Sequence, residues 1–130
     1  MIEFHLDARS GVATYLQIVQ QVKEALRLGT IDVGDQLPTV REVVAHLAVN
    51  PNTVAKAYRE LEREGLVVAR QGRGTFIAST LAPASLRYHD ELRVKFERWL
   101  DEADAAGLDE ESVRALISAT LRKTWARRVA

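Results

Sequence analysis

Residues 39–77 read TVREVVAHLAVNPNTVAKAYRELEREGLVVARQGRGTFI, and the order of start and stop signals in this stretch decides the architecture. Thr39-Val40-Arg41-Glu42 fits a capping box, in which the Thr39 hydroxyl accepts from the amide at the third helical position and Glu42 reaches back to the Thr39 amide. A short helix follows, to about Leu47. Asn50 can cap a second start, and Pro51 suits the first helical position, where its missing N–H would have had no partner. Val54, Ala57, Tyr58 and Leu61 then form one apolar stripe, and Gly65 is a natural left-handed stop after about Glu64. Two helices joined by so few residues make a helix-turn-helix. Leu66–Arg70 and Thr75–Ala78 are short β-prone runs around the turn Gln71-Gly72-Arg73-Gly74, which predicts a β-hairpin and therefore a wing.

Outward from this stretch, Tyr15, Leu16, Ile18, Val19, Val22, Ala25 and Leu26 recur at helical spacing, so Tyr15–Leu28 reads as an amphipathic helix ended by Gly29. Residues 30–38 carry Gly34, Asp35 and Pro38 and read as a loop. Ile2–Leu6 alternates in a way that suits one more strand. After a linker at 80–85 the pattern turns helical again: Leu92, Phe96, Trp99, Leu100 and Ala103 share one face, Gly107 breaks it, and Asp109 can cap a last helix. That helix carries Val113, Leu116, Ile117, Thr120, Leu121 and Trp125. The expected fold is mainly α with a small β-hairpin: a winged helix-turn-helix over residues 1–79, a linker, and a two-helix dimerisation hairpin over 86–130. Such a hairpin is too small to bury its own apolar faces, so Leu92, Phe96, Trp99, Leu100, Leu116, Ile117 and Leu121 are the candidate dimer contacts.

The chain has 130 residues, 18 Lys+Arg against 18 Asp+Glu, and no cysteine. This length suits one small domain or a domain with a short appendage. No apolar run is longer than Leu66–Ala69, far short of the roughly 20 residues of a membrane span, and the opening MIEFHLD lacks a signal-peptide pattern. A cytoplasmic protein with no membrane association is expected. Without cysteine there are no disulfides, thiolate catalysts or thiolate zinc sites. Zero net charge gives no bulk argument for nucleic-acid binding, so the distribution has to carry it. Gly65–Thr80 holds Arg70 and Arg73 and no acid, Asp101–Glu111 holds six acids and no base, and Ser112–Ala130 holds five bases and no acid.

The second helix of a helix-turn-helix enters the major groove with its N-terminal residues at base edges. Here those are Asn50, Asn52 and Thr53, with Lys56 and Arg59 one and two turns on. Asn can make a paired contact to adenine, Thr offers a hydroxyl or a methyl, and Lys and Arg reach phosphate or guanine. Capping alone accounts for Asn50 and Pro51. Arg41 stands where the helix dipole disfavours a cation, which calls for a phosphate, a guanine, or an ion pair with Glu42 or Glu60. Arg70 and Arg73 flank Gly72 at the hairpin tip, where glycine admits close backbone approach and arginine reaches a minor groove; a solvated turn is the plain alternative. His5, His46 and His89 show no ligand spacing, no phosphate-cradling loop is present, and the acids of 101–111 sit at a helix end and a helix start. No metal site, cofactor or catalytic residue is expected, and the chain does not read as an enzyme.

The ordered blocks Tyr15-Leu16-Gln17-Ile18, Gly34-Asp35-Gln36-Leu37-Pro38-Thr39-Val40-Arg41-Glu42, Asn50-Pro51-Asn52-Thr53-Val54, Ala57-Tyr58-Arg59-Glu60-Leu61-Glu62, Glu64-Gly65-Leu66 and Gly72-Arg73-Gly74-Thr75-Phe76 resemble GntR-family bacterial transcriptional regulators. Within that family the chain looks like the small YtrA-type subgroup, over about residues 2–78. The resemblance implies a homodimeric repressor on an inverted-repeat operator in double-stranded DNA, near its own gene or transporter genes. It places DNA contacts on Arg41, Asn50, Asn52, Thr53 and Gly72. In some relatives a basic residue stands where this chain has Pro51 and Ala55, so those contacts are absent here. An unidentified small-molecule effector at the dimer interface is the further partner this reading leaves open. The competing class is a winged helix that binds protein rather than DNA. Fusion to an aminotransferase-like domain, known among relatives, does not fit the roughly 50 residues after the linker.

Overall fold

The computed structural model describes residues 1–83 and 87–129, with helices α1 (Thr14–Leu28), α2 (Val40–Leu47) and α3 (Pro51–Arg63), strands β1 (Val67–Arg70) and β2 (Gly74–Ile77), and helices α4 (Arg87–Ala105) and α5 (Glu110–Val129). The chain divides into two compact units, one within residues 1–86 and one within 87–130. Residues 84 and 85 of the expected linker lie outside the described residues.

The helix starts of the first unit follow from local chemistry. The Glu42 amide donates to Thr39 Oγ1 (3.1 Å) and the Thr39 amide to Glu42 Oε1 (3.2 Å), which completes the capping box of α2. The Asn52 amide donates to Asn50 Oδ1 (2.8 Å), with Pro51 next at the first helical position of α3. At the far end of α3, Gly65 takes φ +76°, so that its own N–H reaches the Glu62 carbonyl (2.9 Å) and the Leu66 N–H the Leu61 carbonyl (3.0 Å). Between the two helices Ala48 adopts the left-handed conformation (φ 55°, ψ 43°), which makes the turn over 48–50 sharp.

The stripes Ile18, Val22, Leu26 on α1 and Val54, Ala57, Tyr58, Leu61 on α3 close on each other, with Phe4, Leu37, Val43, Leu66, Val67 and Ile77 completing one core. Tyr58 carries its hydroxyl into this core and donates it to the Pro38 carbonyl (2.6 Å), tying α3 to the entry of α2. Burial, reinforced by the negative charge of Glu42, holds the phenol well above its ordinary pKa.

The β-hairpin pairs Val67 with Ile77 through Arg70 with Gly74, antiparallel. Its third partner corrects the sequence reading. Ile2–Leu6 forms no strand; its backbone is held instead by side chains of α1. Gln21 Oε1 accepts from the His5 amide (3.0 Å) and its Nε2 donates to the His5 carbonyl. Gln17 holds the Asp7 amide (2.8 Å), the Asp7 carbonyl (3.0 Å) and the Val12 carbonyl (2.9 Å). Glutamine amides thus replace a neighbouring strand, and the alternation serves to bury Phe4. The wing is extended by the loop 34–37: Gly34 N–H donates to Ile77 O (2.9 Å), Ile77 N–H to Asp35 O (2.8 Å) and Leu37 N–H to Thr75 O (2.9 Å).

In the second unit, Gly107 and Leu108 donate to the Asp104 and Ala103 carbonyls (3.0 Å each) and end α4, and Asp109 Oδ1 accepts from the Ser112 amide (2.8 Å) to start α5. The Ser112 hydroxyl, and with it this amide, holds the Asp109 carboxyl below its usual range. No helix among the described residues is long and apolar enough to cross a membrane.

Candidate nucleic-acid interface

Three elements of the first unit bring the candidate residues outward. Arg41 is exposed on the first turn of α2, Asn50 and Asn52 on the first turn of α3, and Lys56 and Arg59 on the same helix, while Thr53 is half-buried. Arg70, Gly72 and Arg73 are exposed at the hairpin tip. The core side of α3 is closed by Val54, Ala57, Tyr58 and Leu61, so the helix can present only its polar face to a partner.

The ion pairs explain which cations remain for that partner. Arg63 binds Glu60, whose carboxyl that contact holds low, and Lys23 binds Glu64 at 2.8 Å. Among the described residues no acid lies within 4.0 Å of Arg41, Arg59, Arg70 or Arg73. The ion pair with Glu42 or Glu60 considered for Arg41 is not formed, because Glu42 serves the capping box and Glu60 serves Arg63. A neutral chain thereby exposes unpaired arginines from α2, α3 and the wing. Lys56 differs: its ammonium lies 4.0 Å above the Tyr15 ring of α1, which orients the side chain without neutralising it. The Asn50 oxygen is committed to capping, which leaves its amide NH₂ as the group free to contact a partner.

Three residues shape this surface in ways that the sequence does not signal. Gln36 Nε2 donates to the Arg73 carbonyl (3.2 Å), which pins the wing tip to the loop before α2. Gly74, at φ +122°, admits that side chain: a Cβ there would stand 2.6 Å from Gln36 Nε2. No periodicity or spacing signals such a contact, because it exists only once the loop and hairpin have met. Tyr58 fits an apolar stripe by its spacing, and its hydroxyl also ties α3 to the entry of α2.

The arrangement is a set of exposed cations on α2, α3 and the wing, one of them resting on an aromatic ring, with an exposed helix N-terminus and a glycine-bearing wing tip, and groups of these kinds can hold phosphates and read base edges. A family model described as "Bacterial regulatory proteins, gntR family" matches residues 14–77. The chain is 38% identical over 116 residues to the "HTH-type transcriptional repressor YtrA" of Bacillus subtilis (strain 168), covering 86% of this chain and 87% of that one. It is similar to the solved structure of YtrA from Sulfolobus acidocaldarius, described as a GntR-family transcription factor, at 35% identity and a TM-score of 0.55 over 75% of this chain and 97% of that one. The DNA-binding domain of AraR, solved in complex with operator ORX1, aligns at 26% identity and a TM-score of 0.52 over 59% of this chain and 96% of its own.

Proposed function

The chain belongs to the GntR family of bacterial regulatory proteins, in its YtrA-like branch, and from that membership we propose that it acts in the cytoplasm as a homodimeric repressor reading an inverted-repeat operator. The observation that carries the reading is the set of unpaired cations on α2, α3 and the wing, in a chain whose total charge is zero. Arg41 and the wing residues Arg70, Gly72 and Arg73 hold phosphates or the adjacent minor groove. Asn50, Asn52 and Thr53 meet base edges, and Lys56 and Arg59 brace the helix along the groove. Residues 1–79 do the reading and residues 86–130 join two copies through Leu92, Phe96, Trp99, Leu100, Leu116, Ile117 and Leu121, which sets the half-site spacing at about one helical turn or a multiple of it. Occupancy of a promoter excludes polymerase; its own promoter and those of transporter genes are the expected targets, and a small effector at the dimer interface is the expected means of release.

Selection from a random duplex pool tests this. An enriched inverted repeat whose binding weakens at least tenfold for Arg41→Ala, and whose log affinity falls by roughly 0.9 per neutralised phosphate per log unit of salt, supports the reading. No enrichment by a folded dimer would favour a winged helix that faces protein.

A further inference from the structure

The second unit has almost no interior. Ala103 is the one buried apolar side chain among its described residues, whereas Phe96, Leu116, Leu121 and Trp125 are 44–55% exposed. Phe96 stacks on Trp99 with centroids 5.9 Å apart, and the pair joins Leu116, Ile117, Thr120 and Leu121 in lining an open apolar groove of about 410 Å³ between α4 and α5. A face of this kind needs a cover.

The charges indicate what the cover is and which way it runs. Asp101, Glu102, Asp104, Asp109, Glu110 and Glu111 surround the turn with no base among them, while Arg122, Lys123, Arg127 and Arg128 occupy the last turns of α5 with no acid. Of these ten groups only Glu110 has an ion-pair partner among the described residues, Arg114 at 2.9 Å. The two ends of α5 are held about 25 Å apart by its own rise, roughly three Debye lengths at physiological salt, so they cannot neutralise each other within one chain. Nor does α4 do so: Arg93 takes up Asp90 (3.3 Å) and Glu97 (3.8 Å) on its own helix, and no acid of α4 among the described residues lies within 4.0 Å of Arg122, Lys123, Arg127 or Arg128.

We infer that the groove is covered by the same groove of a second copy in antiparallel orientation, with the acidic turn of each copy on the basic end of its partner's α5. The inference rests on the dimer reading and adds direction and register to it. Running α5 against its copy in this way sets Leu116 opposite Leu121, Ile117 opposite Thr120, Val113 opposite Thr124 and Glu110 opposite Arg127, so apolar residues meet along the middle and unlike charges meet at both ends. A parallel pair would set Glu110 against Glu110 and Arg127 against Arg127, which is repulsive at both ends.

Sedimentation of the full chain at low and high salt tests this with three variants. Glu110→Lys with Glu111→Lys, and Arg127→Glu with Arg128→Glu, should each weaken the dimer by about tenfold or more at low salt, as the two symmetry-related Glu110–Arg127 pairs turn from attraction to repulsion and the neighbouring reversed charge adds to it. All four changes in one chain should restore it, although that variant carries every helix-end penalty of the two others. Glu110→Cys and Arg127→Cys chains, mixed and oxidised, should crosslink to each other. A wild-type dimer indifferent to the charge reversals, or a Glu110→Cys chain that crosslinks to itself, would overturn the antiparallel register. So would an Arg127→Glu, Arg128→Glu variant that dimerises normally and loses only DNA binding. A wild-type chain that stays monomeric would remove the dimer reading itself.

Discussion

Tyr58→Phe isolates one buried hydrogen bond that ties α3 to the entry of α2 in the first unit. The Tyr58 hydroxyl donates to the Pro38 carbonyl at 2.6 Å, with Tyr58 7% exposed and Pro38 buried. Phenylalanine keeps the ring and its packing but leaves that carbonyl without its donor, at a cost of about 1–3 kcal/mol. Against a total stability of about 5–15 kcal/mol this is readily measured. The pH dependence supplies a second, independent signature. Because burial raises the folded-state pKa above the ordinary value near 10, the bond contributes fully below pH 10. Above pH 10 the unfolded chain ionises while the folded phenol holds its proton to a higher pH, so that stability is lost as pH rises, by up to about 1.4 kcal/mol per pH unit. Urea melts of wild type and variant at equal chain concentration, at pH 7, 10 and 11, should show the variant less stable at pH 7 and the gap closing above pH 10. A gap below about 0.5 kcal/mol at pH 7, or one constant to pH 11, would refute the role assigned to this bond.

Ala48→Gly should stabilise the first unit by about 0.5–1 kcal/mol in the same urea melts, since glycine adopts φ +55° without the penalty that Ala48 bears, and it should leave DNA affinity unchanged. Gly74→Ala should do the reverse. Its Cβ displaces Gln36 from the Arg73 carbonyl and strains a φ of +122°, so stability falls by about 1–3 kcal/mol, amide exchange in the wing accelerates, and affinity for an enriched duplex drops.

The sequence made α2 and α3 legible because their signals are local: Thr39 with Glu42, Asn50 before Pro51, and Gly65 after the last turn each act within a few residues. The third strand partner of the wing was not legible. Gly34-Asp35-Gln36-Leu37 has the composition of a turn, and only the approach of β2 draws its backbone into pairing. Ile2–Leu6 has the alternation of a strand, yet Gln17 and Gln21 meet its backbone needs, and side-chain amides leave no periodic trace. The exposed cations were readable as residue types, but that they are unpaired depends on Glu42 and Glu60 being engaged elsewhere. The apolar stripes of α4 and α5 were visible in the spacing, and so were the charge windows, whereas the separation of those windows along one helical pair required the fold.

Base reading by the start of α3 is tested by the affinity of wild type and Asn52→Ala for the enriched duplex and for each single-base change across one half-site, measured by fluorescence anisotropy. Wild type should lose about 1–3 kcal/mol at each contacted pair, and Asn52→Ala should lose its discrimination at one pair in each half-site while keeping it elsewhere. A variant that binds every duplex more weakly by the same factor, or that discriminates as wild type does, would contradict it.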